Sequence, residues 1–85
     1  MSLEKLNNGG EKMQVEYDYT LLKALMREKN LTQLEISEAL KISESTFSLK
    51  INSKSEFKQS EIEKIVELLD IPPEKIGEYF FTHAV

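Results

Sequence analysis

Ser45, Thr46, Ser48, Leu49 and Asn52 fall in a stretch whose one charged residue is Lys50. On a helix at about 100° per residue, Phe47 and Ile51 lie one turn apart on one side. Ser45, Leu49 and Asn52 then point away from it, flanked by Thr46 and Ser48. These side chains are short and mostly uncharged, and several can both donate and accept hydrogen bonds. Serine or asparagine can approach a base edge without carrying charge between the phosphates, and Leu49 can meet a thymine methyl. Glu44, at the near end, would repel phosphate unless it accepts from cytosine N4 or pairs with a nearby side chain. Phosphate contacts need cations or backbone N–H groups and position a protein without reading sequence. Lys50, Lys54 and Lys58 lie in or after this helix, Thr46 flanks it, and Gln33 stands in the first turn of the preceding helix, where the positive dipole end favours anions. The blander alternative makes the serines and Gln33 a solvated surface and Leu49 a core or dimer contact.

Short helices must position these residues. The spacing of Leu21, Leu22, Leu25 and Met26 predicts a first helix over about 19–29, with Asp18 as N-cap and Asn30 as a left-handed end. Thr32 with Glu35 forms a capping box that opens a second helix. Ile36, Ala39 and Leu40 face inward, Lys41 breaks the helix, Ile42 plugs the core from the turn, and Ser43 caps the third helix. Two short helices joined by so small a turn must cross steeply, the arrangement in which the second helix lies in a DNA groove. A polar loop anchored by Phe57 leads to a fourth helix with Ile62, Ile65, Val66 and Leu69 inward. Its start is open between Ser60, paired with Glu63 as a second capping box, and Lys58. Asp70-Ile71-Pro72-Pro73 stops it, and Pro73 suits the first turn of a short fifth helix that buries Ile76, Tyr79 and Phe80. Met13 to Tyr17 alternates apolar and polar residues, which suits a short strand or an extended arm. Tyr79 to Val85 is rich in β-formers, with two available partners: that first stretch or another chain.

Composition narrows the class. The 85 residues fit one domain, read as a flexible tail over 1–12 and a single domain over 13–85. So small a domain is marginally stable alone, which favours a homodimer. Without cysteine there is neither a disulfide framework nor a thiolate metal site. No apolar run is long enough for a membrane span, and no signal peptide is visible, so the expected compartment is the cytoplasm. The net charge of -4 is unevenly spread: residues 46–58 carry +2 and residues 59–85 carry -4. His83, the single histidine, stands in the terminal segment as a surface or interface residue. No phosphate-binding glycine loop or metal-ligand spacing is present. An enzyme, a cofactor and a small-molecule ligand are therefore not expected.

Leu31-Thr32-Gln33, Ile36, Leu40, Ile42-Ser43, Ser45-Thr46-Phe47-Ser48 and the run from Ile62 to Leu69 resemble the Cro/repressor-type helix-turn-helix family. The resemblance covers Tyr17 to about Phe81. Tyr17-Asp18-Tyr19, Phe47-Ser48-Leu49-Lys50-Ile51-Asn52 and Glu78-Tyr79-Phe80-Phe81-Thr82 are similar to a phage-encoded subgroup of small repressor-like proteins. Three positions depart from the family pattern: Lys41 stands where it usually has Gly, Ser37 where a small Ala is common, and Lys50 where it often has an apolar residue. The resemblance implies an all-α, five-helix fold with a central helix-turn-helix, and a dimer controlling transcription from a two-fold operator in double-stranded DNA. The expected base readers are Glu44, Ser45, Ser48, Leu49 and Asn52; the expected phosphate contacts are Gln33, Thr46, Lys50, Lys54 and Lys58. An interaction adaptor of the anti-repressor or antitoxin kind, using the acidic helices and the apolar Tyr79-Phe80-Phe81, is the alternative.

Overall fold

The computed structural model describes residues 16–84; the expected tail over 1–12, the start of the Met13–Tyr17 strand and Val85 lie outside them. Among the described residues five α-helices follow in order: α1 Thr20–Glu28, α2 Gln33–Leu40, α3 Glu44–Ile51, α4 Gln59–Leu69 and α5 Ile76–Phe80, the last preceded by a 3₁₀ turn over Pro73–Lys75. The fold is all-α, as the apolar spacing requires.

Local chemistry sets the helix ends. Thr32 accepts from the Glu35 N–H at 3.1 Å, and the Glu35 carboxylate accepts from the Thr32 N–H at 2.9 Å. This reciprocal box satisfies two of the donors that a helix start leaves unpaired. Ser43 opens α3 by accepting from the Thr46 N–H at 3.1 Å. Between them α2 ends on Lys41 at φ 62°, ψ 40°. A side chain in this left-handed conformation costs about 1–2 kcal/mol. Asn30, Ser53 and Asp70 also adopt positive φ. At α1, Asp18 accepts from the Thr20 N–H and hydroxyl, so its carboxylate acts just ahead of the helix, while Tyr19 occupies the cap position. At α4, Lys58 is the cap residue and Glu61, not Glu63, reaches back to its N–H at 2.8 Å.

Leu22, Ile36, Phe47, Ile51, Ile65, Leu69 and Phe80 are essentially inaccessible to solvent and form one core. Ile42 packs against this core from the turn, partly buried. Leu21 departs from the expected stripe: it is exposed, and the inward face of α1 is Leu22, Leu25 and Met26. α2 packs on α3 and α4, and α1 on α5. The chain ends meet in a single antiparallel bridge between Tyr17 and His83. The Asp18 N–H donates to the Thr82 carbonyl at 2.7 Å and the Ala84 N–H to the Glu16 carbonyl at 3.0 Å. The terminal stretches thus pair with each other, as one of the two expected arrangements has it, but too briefly to make strands.

Candidate functional site

The turn over Lys41–Ser43 directs α3 away from α2, and the core contacts of Phe47 and Ile51 fix which side of α3 faces out. Gln33, Glu44, Ser45, Ser48 and Leu49 together line a shallow hollow between the start of α2 and the outer side of α3. Five of the expected site residues are therefore brought to one surface. Ser45 and Glu44 are exposed, Ser48 and Gln33 half-buried, and Leu49 is 52 % exposed.

The other expected contacts are arranged differently. Thr46 is half-buried, and its hydroxyl accepts from Ser43 at 2.8 Å as part of the cap. Asn52 ends α3: its amide nitrogen donates to the Ser48 carbonyl at 2.9 Å, and its oxygen accepts from the Lys23 ammonium at 3.1 Å. Its carboxamide ties α3 to α1 instead of standing clear on the outer side. Lys54 and Lys58 remain exposed beyond the end of α3.

Lys50 is the main correction. It was expected at a phosphate, but it is only 6 % exposed, and its ammonium donates to the Glu61 carboxylate at 2.7 Å. Glu61, on α4, is buried as well. Burial pushes the Glu61 carboxyl up, but the Lys50 ammonium and the Lys58 N–H outweigh it and hold the group below the ordinary carboxylate value. Removing two charges from water is costly unless geometry and extra hydrogen bonds compensate. Here the compensation is direct: one carboxylate oxygen accepts from both the ammonium and the α4 cap N–H. The signal for this burial was present in the sequence. Phe47, Lys50 and Ile51 have the i, i+3, i+4 spacing of one helix face, and Glu61, Ile65 and Leu69 repeat every fourth residue.

Electrostatically, the outer side of α3 therefore holds one carboxylate, Glu44, and no cation, since Lys50 is the helix's single basic residue. Among the described residues no helix is long and apolar enough to cross a membrane, and no group of three or more His, Cys, Asp or Glu residues could hold a metal ion.

Fold and surface together define a small all-α domain that displays a weakly polar, leucine-bearing helix face. The chain belongs to the family described as "Protein of unknown function (DUF739)", whose model matches residues 15–83. It is similar to the solution structure of the modulator of repression of the temperate bacteriophage TP901-1 from Lactococcus lactis. The two are 42 % identical, the match covers 78 % of this chain and 89 % of that one, and the TM-score is 0.64. A search of curated proteins gave no match. These findings overturn the expected membership of the Cro/repressor-type family. The pattern behind that expectation, two capped short helices with an apolar plug in the turn, belongs to any steep helix corner and does not separate the families.

Proposed function

We propose that this chain is a phage-type regulator that modulates repression by binding a protein through the outer face of α2 and α3. The observation that carries this reading is the inward turn of Lys50. It leaves Glu44, Ser45, Ser48 and Leu49 as a surface with a single negative charge. Duplex DNA is a dense array of negative charge, and most of the affinity of its binders comes from neutralising phosphates with lysine and arginine. A face without a cation lacks that term. Protein interfaces instead favour a desolvated apolar centre within a polar rim, which Leu49 and the neighbouring serines supply. The similarity to a modulator of repression supports the regulatory part of this reading.

Direct contact with duplex DNA is a second reading, favoured by one arrangement. Gln33 at the start of α2 stands beside Ser45 and Ser48, and Lys54, beyond the end of α3, and Lys58, at the cap of α4, remain exposed. A titration against a phage repressor and, separately, against its operator duplex distinguishes the two. The protein reading expects a complex with the repressor that tolerates salt and is lost in Leu49→Asp, with no complex on the duplex alone. A duplex complex that weakens steeply with salt, without repressor binding, would replace it with the DNA reading. We propose as well that the chain self-associates as a homodimer; sedimentation of the free chain at rising concentration checks it.

A further inference from the structure

A second concave site lies apart from the α2–α3 face and shares no residue with it. The N-terminal segment before α1, the loop after α3 and the end of α5 converge on a cleft of about 210 Å³. Two of the chain's three tyrosines and three of its four phenylalanines line it. Tyr19 and Phe57 meet edge to face with centroids 5.4 Å apart, Phe57 and Phe80 at 5.8 Å, and Tyr17 and Phe81 at 5.6 Å. This exceeds what a core needs, because Phe81 is 49 % exposed and Tyr17 is only partly covered.

Two polar groups accompany the rings. Glu56 stands exposed at the cleft and makes no ion pair with another described residue. Tyr19 is 6 % exposed, lines the cleft, and its phenol forms no hydrogen bond among the described residues. A buried tyrosine hydroxyl ordinarily has a partner. Burial, and after it the neighbouring Tyr17 and Glu56, raise the Tyr19 phenol above its usual value; Glu56 lines the same cleft as Tyr19.

Aromatic rings attract cations through their π-systems, and the carboxylate selects for positive charge. The cleft falls short of the ~300 Å³ at which pockets for whole small molecules begin, and suits one extended side chain. We propose that it receives the guanidinium end of an arginine side chain presented by a partner protein, packed on the incompletely covered rings of Tyr17 and Phe81 and hydrogen-bonded to Glu56. Arginine fits better than lysine because its planar fork can stack on a ring while donating both to a carboxylate and to the Tyr19 oxygen. This inference goes beyond the α2–α3 reading and stands without it.

The test titrates the full chain with N-acetyl-arginine amide, followed by proton–nitrogen correlation spectra, beside the lysine and citrulline counterparts. Arginine is expected to shift the resonances of Tyr17, Tyr19, Glu56, Phe57 and Phe81, lysine to do so more weakly, and neutral citrulline not at all. Glu56→Gln, at an exposed position, should weaken binding about tenfold, the scale of one charge-assisted hydrogen bond, with spectral dispersion unchanged. Tyr19→Phe should weaken it several-fold. Citrulline binding as well as arginine, or Glu56→Gln without effect, overturns the proposal. An arginine-bearing peptide that binds more tightly than the capped residue supports a protein source, and free arginine or a diamine binding more tightly than that peptide overturns it.

Discussion

Leu49 and Lys50 are neighbours in α3, and each occupies the environment that its side chain would ordinarily avoid. The leucine is 52 % exposed and the lysine 6 %. The angle between successive helix positions accounts for it: Lys50 shares a face with Phe47 and Ile51, and Leu49 shares the opposite one with Ser45 and Ser48. On the inner side a charge is tolerated because Glu61 meets it at 2.7 Å. On the outer side an apolar group stays in water, where a partner can cover it. The lysines of this segment therefore cannot be summed as surface charge, since one of them ties α3 to α4.

Breaking the inner side should have the largest effect. Lys50→Glu places two carboxylates together in the interior, and the chain should fail to fold, read as loss of helical circular dichroism. Lys50→Ala leaves Glu61 buried without its cation and should cost about 3–5 kcal/mol, a large part of the stability of a small domain. The double variant Lys50→Met, Glu61→Leu should recover most of that loss in urea denaturation, because a buried pair exchanged for apolar groups is often nearly neutral. Failure to recover would show that the pair does more than fill space.

The same pair predicts an acid limit. Glu61 is held below its ordinary value of 4.5 in the folded chain, so the unfolded chain binds the proton more readily. The stability it contributes is complete above the unfolded value and is lost as pH falls through the folded one. Urea midpoints should therefore drop below about pH 4.5. Glu61→Gln should flatten that part of the profile.

Smaller effects lie at the turn and on the outer side. Lys41→Gly relieves a left-handed side chain but loosens the unfolded chain, for a net gain of up to about 1 kcal/mol in thermal unfolding. Leu49→Asp and Ser45→Glu should change stability by no more than about 0.5 kcal/mol, yet abolish binding of a repressor in the titration above. A large loss of stability in either variant would mean that the outer side is part of the packing after all.

Much of the fold was legible because it is set locally. The Thr32–Glu35 box, the Ser43 cap and the left-handed Asn30 each rest on groups within a few residues of one another. So does the corner between α2 and α3, where Ile42 follows the break at Lys41. At the start of α4 two local solutions compete: Ser60 with Glu63 and Lys58 with Glu61 could each open the helix, and the inward pull of Lys50 on Glu61 favours the second. Leu21 was misplaced for a related reason, since four apolar residues in α1 allow more than one stripe.

Of the candidate face, the sequence by itself determined that Ser45, Ser48 and Leu49 share a side of a short helix that begins at Ser43, because helical angle and capping are properties of neighbouring residues. Tertiary structure decided the electrical character of that side. Glu61 lies eleven residues beyond Lys50, and only packing of α4 against the rest of the domain brings its carboxylate to the ammonium. It likewise gathered Tyr17, Phe57 and Phe81 around one cleft. Contacts between distant segments depend on how helices pack, and no local rule encodes that.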